Sequence, residues 1–123
     1  MGHTMPDMSV QLFGHAKSKA TRKAQRWFSE RRVDVSYVDL RKRPPSPGEL
    51  KRFVQRFGVP AVLDPDAPAY RDKGLQYVSA SDDDWIKRMV DDPMVLRLPL
   101  IRAGNELAVG DDEEAWSRIV ENR

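Results

Sequence analysis

The chain contains no cysteine. That absence removes disulfides, thiolate metal ligands and any thiol chemistry carried by the protein itself. Histidine is nearly as scarce. His3 and His15 are the only two, so a zinc site of the usual cysteine and histidine type has no ligand set, and no metal is expected. No apolar run approaches the length of a membrane span, and no membrane partner is expected. The opening residues, MGHTMPDM, lack the apolar stretch of a secretory signal. Residues 1–8 are expected to be a disordered tail or an expression remnant, and a cytoplasmic location is the default expectation. An excess of one charge is also missing: 21 Lys and Arg stand against 19 Asp and Glu, a net charge of +2. That is too weak a field to argue for nucleic acid. Internal repeats are absent, and the only biased stretch is the proline cluster at Pro44, Pro45 and Pro47.

What is present suits one domain with one core, residues 9–123. The chain is 40% hydrophobic and 33% charged over 123 residues. Val10, Leu12 and Phe13 predict a buried strand ended by Gly14. Ala20, Ala24, Trp27 and Phe28 then recur at helical spacing, and Ser18 stands where its side-chain oxygen can cap that helix. Val33 to Leu40 reads as a second strand. Strand, helix and strand in this order make a unit that is parallel by default.

Ser46-Pro47-Gly48-Glu49 is a capping box with proline at the first helical position. Leu50, Phe53, Val54 and Phe57 form the stripe of that helix, and Gly58 closes it. Short helical turns are expected from Val59 to Leu75, one of them near Ala67 to Lys73 and stopped by Gly74. Ser81 caps a helix with Asp82, Asp83 and Asp84 in its positively polarised first turn, and Pro93 ends it. Arg97 to Arg102 reads as a third strand broken by Pro99. Gly104 and Asn105 turn the chain into a fourth strand, Leu107 to Val109. Asp111 or Asp112 caps a last helix carrying Trp116, Ile119 and Val120. Trp27, Trp85 and Trp116 all fall on inward stripes and are expected in the core.

The fold class is therefore α/β with the thioredoxin-like order, a four-stranded mixed sheet with flanking helices and a helical insertion between strands 2 and 3. At this point the chain resembles the arsenate reductase (ArsC)/Spx family. The resemblance runs from Val10 to about Val120. It is carried by LFGHAKSKATRKAQRWF at 12–28, PPSPGEL at 44–50, AYRDKGL at 69–75 and RLPLI at 97–101.

The resemblance implies a nucleophilic cysteine at the loop–helix junction, and this sequence has Ser18 there. The second cysteine of the Spx type corresponds to Thr21. The arginine that the family sets before the strand-3 proline is replaced by Leu98, with Arg97 one residue earlier and so on the opposite face of an extended chain. Another oxyanion-binding arginine of the reductases falls on Asp64, and the basic position after the hairpin falls near Val109 or Gly110. The resemblance also implies a cis bond at Pro99.

No catalytic residue is assigned, and Ser18, Thr21 and Leu98 are degenerate positions. The ligand-binding candidates are Lys17, Ser18, Arg22, Arg97 and Pro99. Ser18 reads as a helix cap, or as a hydroxyl that hydrogen-bonds an external thiolate. His15 reads as a solvated loop residue, or as a base toward Ser18. Lys17, Lys19, Arg22, Lys23 and Arg26, with Arg41, Lys42 and Arg43, read as a solvated basic face or as an attractor for an anionic ligand. No aromatic is interleaved with them for base stacking. The expected function is a binding or regulatory module that is not redox-active, a monomer with a protein or small anionic partner. The alternative is a glutathione- or thiol-binding enzyme that uses Ser18, with glutathione as the one cofactor to consider.

Overall fold

The computed structural model describes residues 9–122. Apolar side chains alternate along each central strand, and the alternation builds a sheet buried on both faces. The first strand, β1 (Val10–Gly14), lies at the centre. It pairs in parallel with β2 (Val35–Asp39) and antiparallel with β3 (Leu100–Ala103), which pairs antiparallel with β4 (Glu106–Val109). The order across the sheet is β2-β1-β3-β4. This is the four-stranded mixed sheet of the thioredoxin-like order.

Val10, Leu12, Ile101, Ala103 and Ala108 turn to one face. There they meet the helices α1 (Lys19–Glu30) and α6 (Glu113–Asn122) through Ala24, Trp27, Phe28, Trp116 and Ile119. Three aromatic rings stack edge-on at its centre, with Trp27 4.9 Å from Phe28 and 5.7 Å from Trp116. Phe13 and Leu100 turn to the other face. They pack against α2 (Pro47–Phe57), α5 (Asp82–Asp91) and the short helices α3 (Val59–Val62) and α4 (Pro68–Asp72).

The helix starts follow the sequence. Ser18, Ser46 and Ser81 each accept a backbone N–H from three residues on, and Glu49 completes the capping box at α2. Asp112 rather than Asp111 caps α6, accepting from the Ala115 N–H at 3.1 Å. Gly74 stops the turn after α4 in the left-handed region, φ 64°.

Three details differ from the sequence expectation. The third strand begins only at Leu100, because Arg97 pairs with the insertion instead: its N–H donates to Val62 while the Asp64 N–H donates to Val95. Phe57 is 38% exposed at the end of its stripe. Ala20, in the first turn of α1, is half-buried and lines a cleft. The Leu98–Pro99 bond is cis, as the resemblance implied. The tail expectation for residues 1–8 lies outside the described residues.

One close approach sets where α1 sits. Thr21 is wholly buried, and a Cβ on Gly14 would lie 2.6 Å from its methyl carbon. Gly14 therefore lets the first turn of α1 rest directly on the end of β1. The Thr21 Oγ1 has no hydrogen-bond partner in this contact, a cost that an apolar group of the same shape avoids. Thr21→Val is expected to raise stability by about 1 kcal/mol. Gly14→Ala is expected to lower it by about 1–3 kcal/mol through overpacking. Urea unfolding midpoints at constant m check both; a destabilised Thr21→Val protein would contradict this account of the contact.

Candidate functional site

The site is a cleft of about 620 Å³ between the N-terminus of α1 and the insertion. One wall is the loop His15 to Ser18 with the first turn of α1. The loop is closed on itself: the Ser18 N–H donates to the His15 carbonyl at 3.1 Å, and the Lys17 N–H donates to His15 Nδ1 at 3.2 Å. Ser18 Oγ accepts the Thr21 N–H at 3.1 Å, so the hydroxyl is engaged as the cap and keeps one proton to donate. The floor is apolar and comes from Met94, Leu96 and Leu98. The opposite wall carries Asp64, Asp66 and Asp72 around Ala67, Pro68 and Ala69.

Local chemistry explains this wall. Asp64 Oδ1 accepts the Asp66 N–H at 2.9 Å and stiffens the turn that leads into α4. The backbone pairing of Leu63 with Leu96 holds that turn against the segment before Pro99. Asp66 also meets Arg71 at 3.5 Å, both side chains being well exposed. Among the described residues, Asp64, Asp72, Lys17 and Lys19 have no ion-pair partner. The cleft is thus bipolar, with lysines and a helix N-terminus on one side and carboxylates on the other.

The sequence candidates divide between this cleft and other places. Lys17, Ser18 and Leu98 line it, as does Asp64 at the position where the resemblance placed an arginine. Thr21 is buried behind the cap, and Pro99 is buried behind Leu98 without lining the cleft. The Arg22 guanidinium donates to the Ala16 carbonyl and supports the loop. Arg97 turns away from the cleft. It packs against Gly110 and lines a separate hollow with Phe57, Asp112 and Arg118. Lys23 is also diverted, bridging to Asp111 at 2.9 Å and Glu113 at 3.1 Å. Of the basic residues on the loop and α1, Lys17 and Lys19 line the cleft. Sequence reasoning missed Asp66, Asp72 and Met94. The signal available for the first two was three aspartates in a short, proline-interrupted insertion.

With the geometry in place, the chain can be set beside known proteins. A sequence model of the ArsC family matches residues 13–119. The chain belongs to the ArsC family. It is 25% identical over 113 residues to the uncharacterized protein YusI of Bacillus subtilis (strain 168), covering 89% of this chain and 96% of that protein. It is 22% identical over 107 residues to the global transcriptional regulator Spx 2 of Bacillus anthracis, covering 85% and 82% respectively. The arsenate reductase from Vibrio cholerae superposes with a TM-score of 0.78 at 22% identity, over 94% of this chain and 98% of that one. The superposition carries the thioredoxin-like fold. Among the described residues of this ArsC-family chain, no helix is long and apolar enough to cross a membrane.

His15 lines the cleft beside Ser18. Burial lowers its pKa below 6.5, the Arg41 guanidinium lowers it further, Asp39 opposes this, and Lys17 adds a smaller push downward. The ring is therefore neutral near pH 7, with Nδ1 accepting from Lys17 and the proton on Nε2. Because the folded state binds this proton less tightly than the unfolded state, His15 favours folding above the unfolded pKa. That contribution is lost as pH falls through the folded pKa. A histidine NMR titration is expected to show the His15 midpoint below 6.5. In Arg41→Gln the midpoint is expected to rise but stay below 6.5; no upward movement would remove Arg41 as a cause.

Proposed function

We propose that this ArsC-family chain acts by binding a partner in the cleft beside Ser18, as a binding or regulatory module, and carries out no thiol or arsenate chemistry. The carrying observation is the acidic wall of Asp64, Asp66 and Asp72 opposite the helix N-terminus. A helix N-terminus favours an exposed anion by only about 0.3–1 kcal/mol. An oxyanion that reaches the cap and the two lysines meets carboxylate repulsion from the other side of the same cleft. The absence of sulfur nucleophiles from the sequence supports the same reading, as does the diversion of Arg22 and Arg97 to other contacts. Similarity to a transcriptional regulator agrees with a role exercised through contact with another macromolecule. A cytoplasmic location and a single domain over residues 9–123 fit this reading.

One observation favours a second reading, a thiol-binding enzyme using Ser18: the cleft beside that hydroxyl is open rather than filled by Leu98 or the loop. Thermal shift and calorimetry with arsenate, phosphate, sulfate and glutathione separate the two. A ligand at about 100 times its Kd adds about 2.7 kcal/mol to folding. We expect no shift from any of the four. A glutathione shift that vanishes in Ser18→Ala would establish the second reading.

A sharper test restores the missing atom. In Ser18→Cys the thiol would sit at the start of a helix, where its pKa is expected below the usual value of about 8.5, read from the pH dependence of alkylation. The variant is nevertheless expected to reduce no arsenate with glutathione and glutaredoxin supplied. Turnover by it would mean that the acidic wall does not exclude the oxyanion.

A further inference from the structure

A second hollow, of about 370 Å³, lies beside β4, the last strand of the sheet, with α6 on one side and the end of α2 on another. We propose that it binds a small organic acid. The carboxylate is held between Arg97 and Arg118, and an apolar stem covers the ring of Phe57. This site is separate from the cleft beside Ser18, and nothing in the proposal depends on that cleft.

Charge is the first support. Arg97 comes from the segment before Pro99 and Arg118 from the middle of α6, yet both line this one hollow. Neither guanidinium has an ion pair or a hydrogen bond among the described residues, whereas those of Arg22, Arg31 and Arg102 each donate to a backbone carbonyl. Asp112 is the carboxylate on the same hollow, and its Oδ1 already accepts the Ala115 N–H at 3.1 Å. The charge balance of the hollow is therefore positive. A guanidinium presents parallel N–H groups that match a carboxylate in both spacing and sign.

The lining between the charges is the second support. It is apolar, with Ala61, Leu107, Val109 and Ala115 beside the Phe57 ring. Phe57 ends the inward stripe of α2 but stays 38% exposed, so the fold leaves part of an aromatic ring uncovered next to two cations. Inorganic oxyanions have no carbon with which to cover it. An acid with an aromatic or branched stem does, and gains from removing that surface from water. The volume falls at the low end of the range for small-ligand sites, about 300–1,000 Å³.

Arg97 is also seated before any ligand arrives. Its N–H donates to the Val62 carbonyl at 2.8 Å. Its Cγ and Cδ lie 3.1 Å from where a Cβ on Gly110 would stand, so that glycine, at φ 75°, makes room for the stem. A side chain already held loses less freedom on binding.

The test titrates isotope-labelled full chain with 3-phenylpropionate and 4-methylpentanoate, read by amide shifts and calorimetry. Saturable binding that weakens with salt is expected, with shifts at Leu107, Ala108, Val109 and Ala115. Acetate, phosphate and 3-phenylpropanol are each expected to bind about tenfold more weakly or less, since each lacks the stem or the charge. Both arginines are exposed, so Arg97→Gln and Arg118→Gln are expected to keep the fold, checked by urea midpoints. Each is expected to weaken binding by about tenfold, and Arg97→Lys by a smaller factor.

No saturable binding of either acid overturns the proposal. So do equal binding of the alcohol or of phosphate, an affinity unchanged in both glutamine variants, or shifts confined to the cleft beside Ser18. A peptide ending in a free phenylalanine carboxylate that binds more tightly than the two acids would make the occupant a partner's C-terminus and overturn it as well.

Discussion

The contact between Gly14 and Thr21 is the constraint on which the rest of the site depends. Because glycine ends β1, the first turn of α1 lies against the strand without a side chain between them. That contact fixes the start of the helix, and the start of the helix fixes Ser18 as its cap. The loop from His15 to Lys17 then has too few residues to wander, and its own hydrogen bonds close it. Lys17 and Lys19 flank the cap and face the cleft as a consequence. The unpaired Thr21 hydroxyl is the cost that this close packing leaves behind.

The second fixed point is the pairing of Leu63 with Leu96. It joins the end of α3 to the segment before Pro99, and so binds the insertion to the sheet-side floor of the cleft. On that segment Leu96 and Leu98 line the cleft, and Arg97 lines a different hollow. One short bridge thus accounts for the apolar floor, for the place of Asp64 on the wall and for the removal of the nearest arginine to a different hollow. The His15 ring lies under the influence of Asp39 at the end of β2 and of Arg41 just beyond it, which act on its pKa in opposite directions.

Much of this was legible in the sequence because it rests on local rules. The serine caps, the capping box at Ser46 and the strand at Val10 to Gly14 are decided within a few residues, and each stands where the pattern put it. The core tryptophans followed from helical spacing. The limits of the third strand were not legible, because a bridge to the insertion takes hydrogen bonds that a longer strand would have used. The acidic wall was legible only at Asp64. Asp66 and Asp72 reach the cleft through the tertiary placement of a short helix, which no periodicity encodes. The basic face of α1 misled in the opposite direction: it reads as one cluster, yet Lys23 is spent on α6 and Arg22 on its own loop.

The charge arrangement of the cleft has two sources, one in the backbone and one in the side chains. The helix N-terminus is a property of the backbone and remains whatever side chains surround it. It therefore still attracts negative charge in this chain, at Ser18. What the sequence can change is the opposite wall, and here three carboxylates stand on it. The cleft thus has a positively polarised end and an acidic end. Whatever the helix end draws into the cleft therefore also meets carboxylates from the insertion, so the cleft is balanced in charge rather than of one sign.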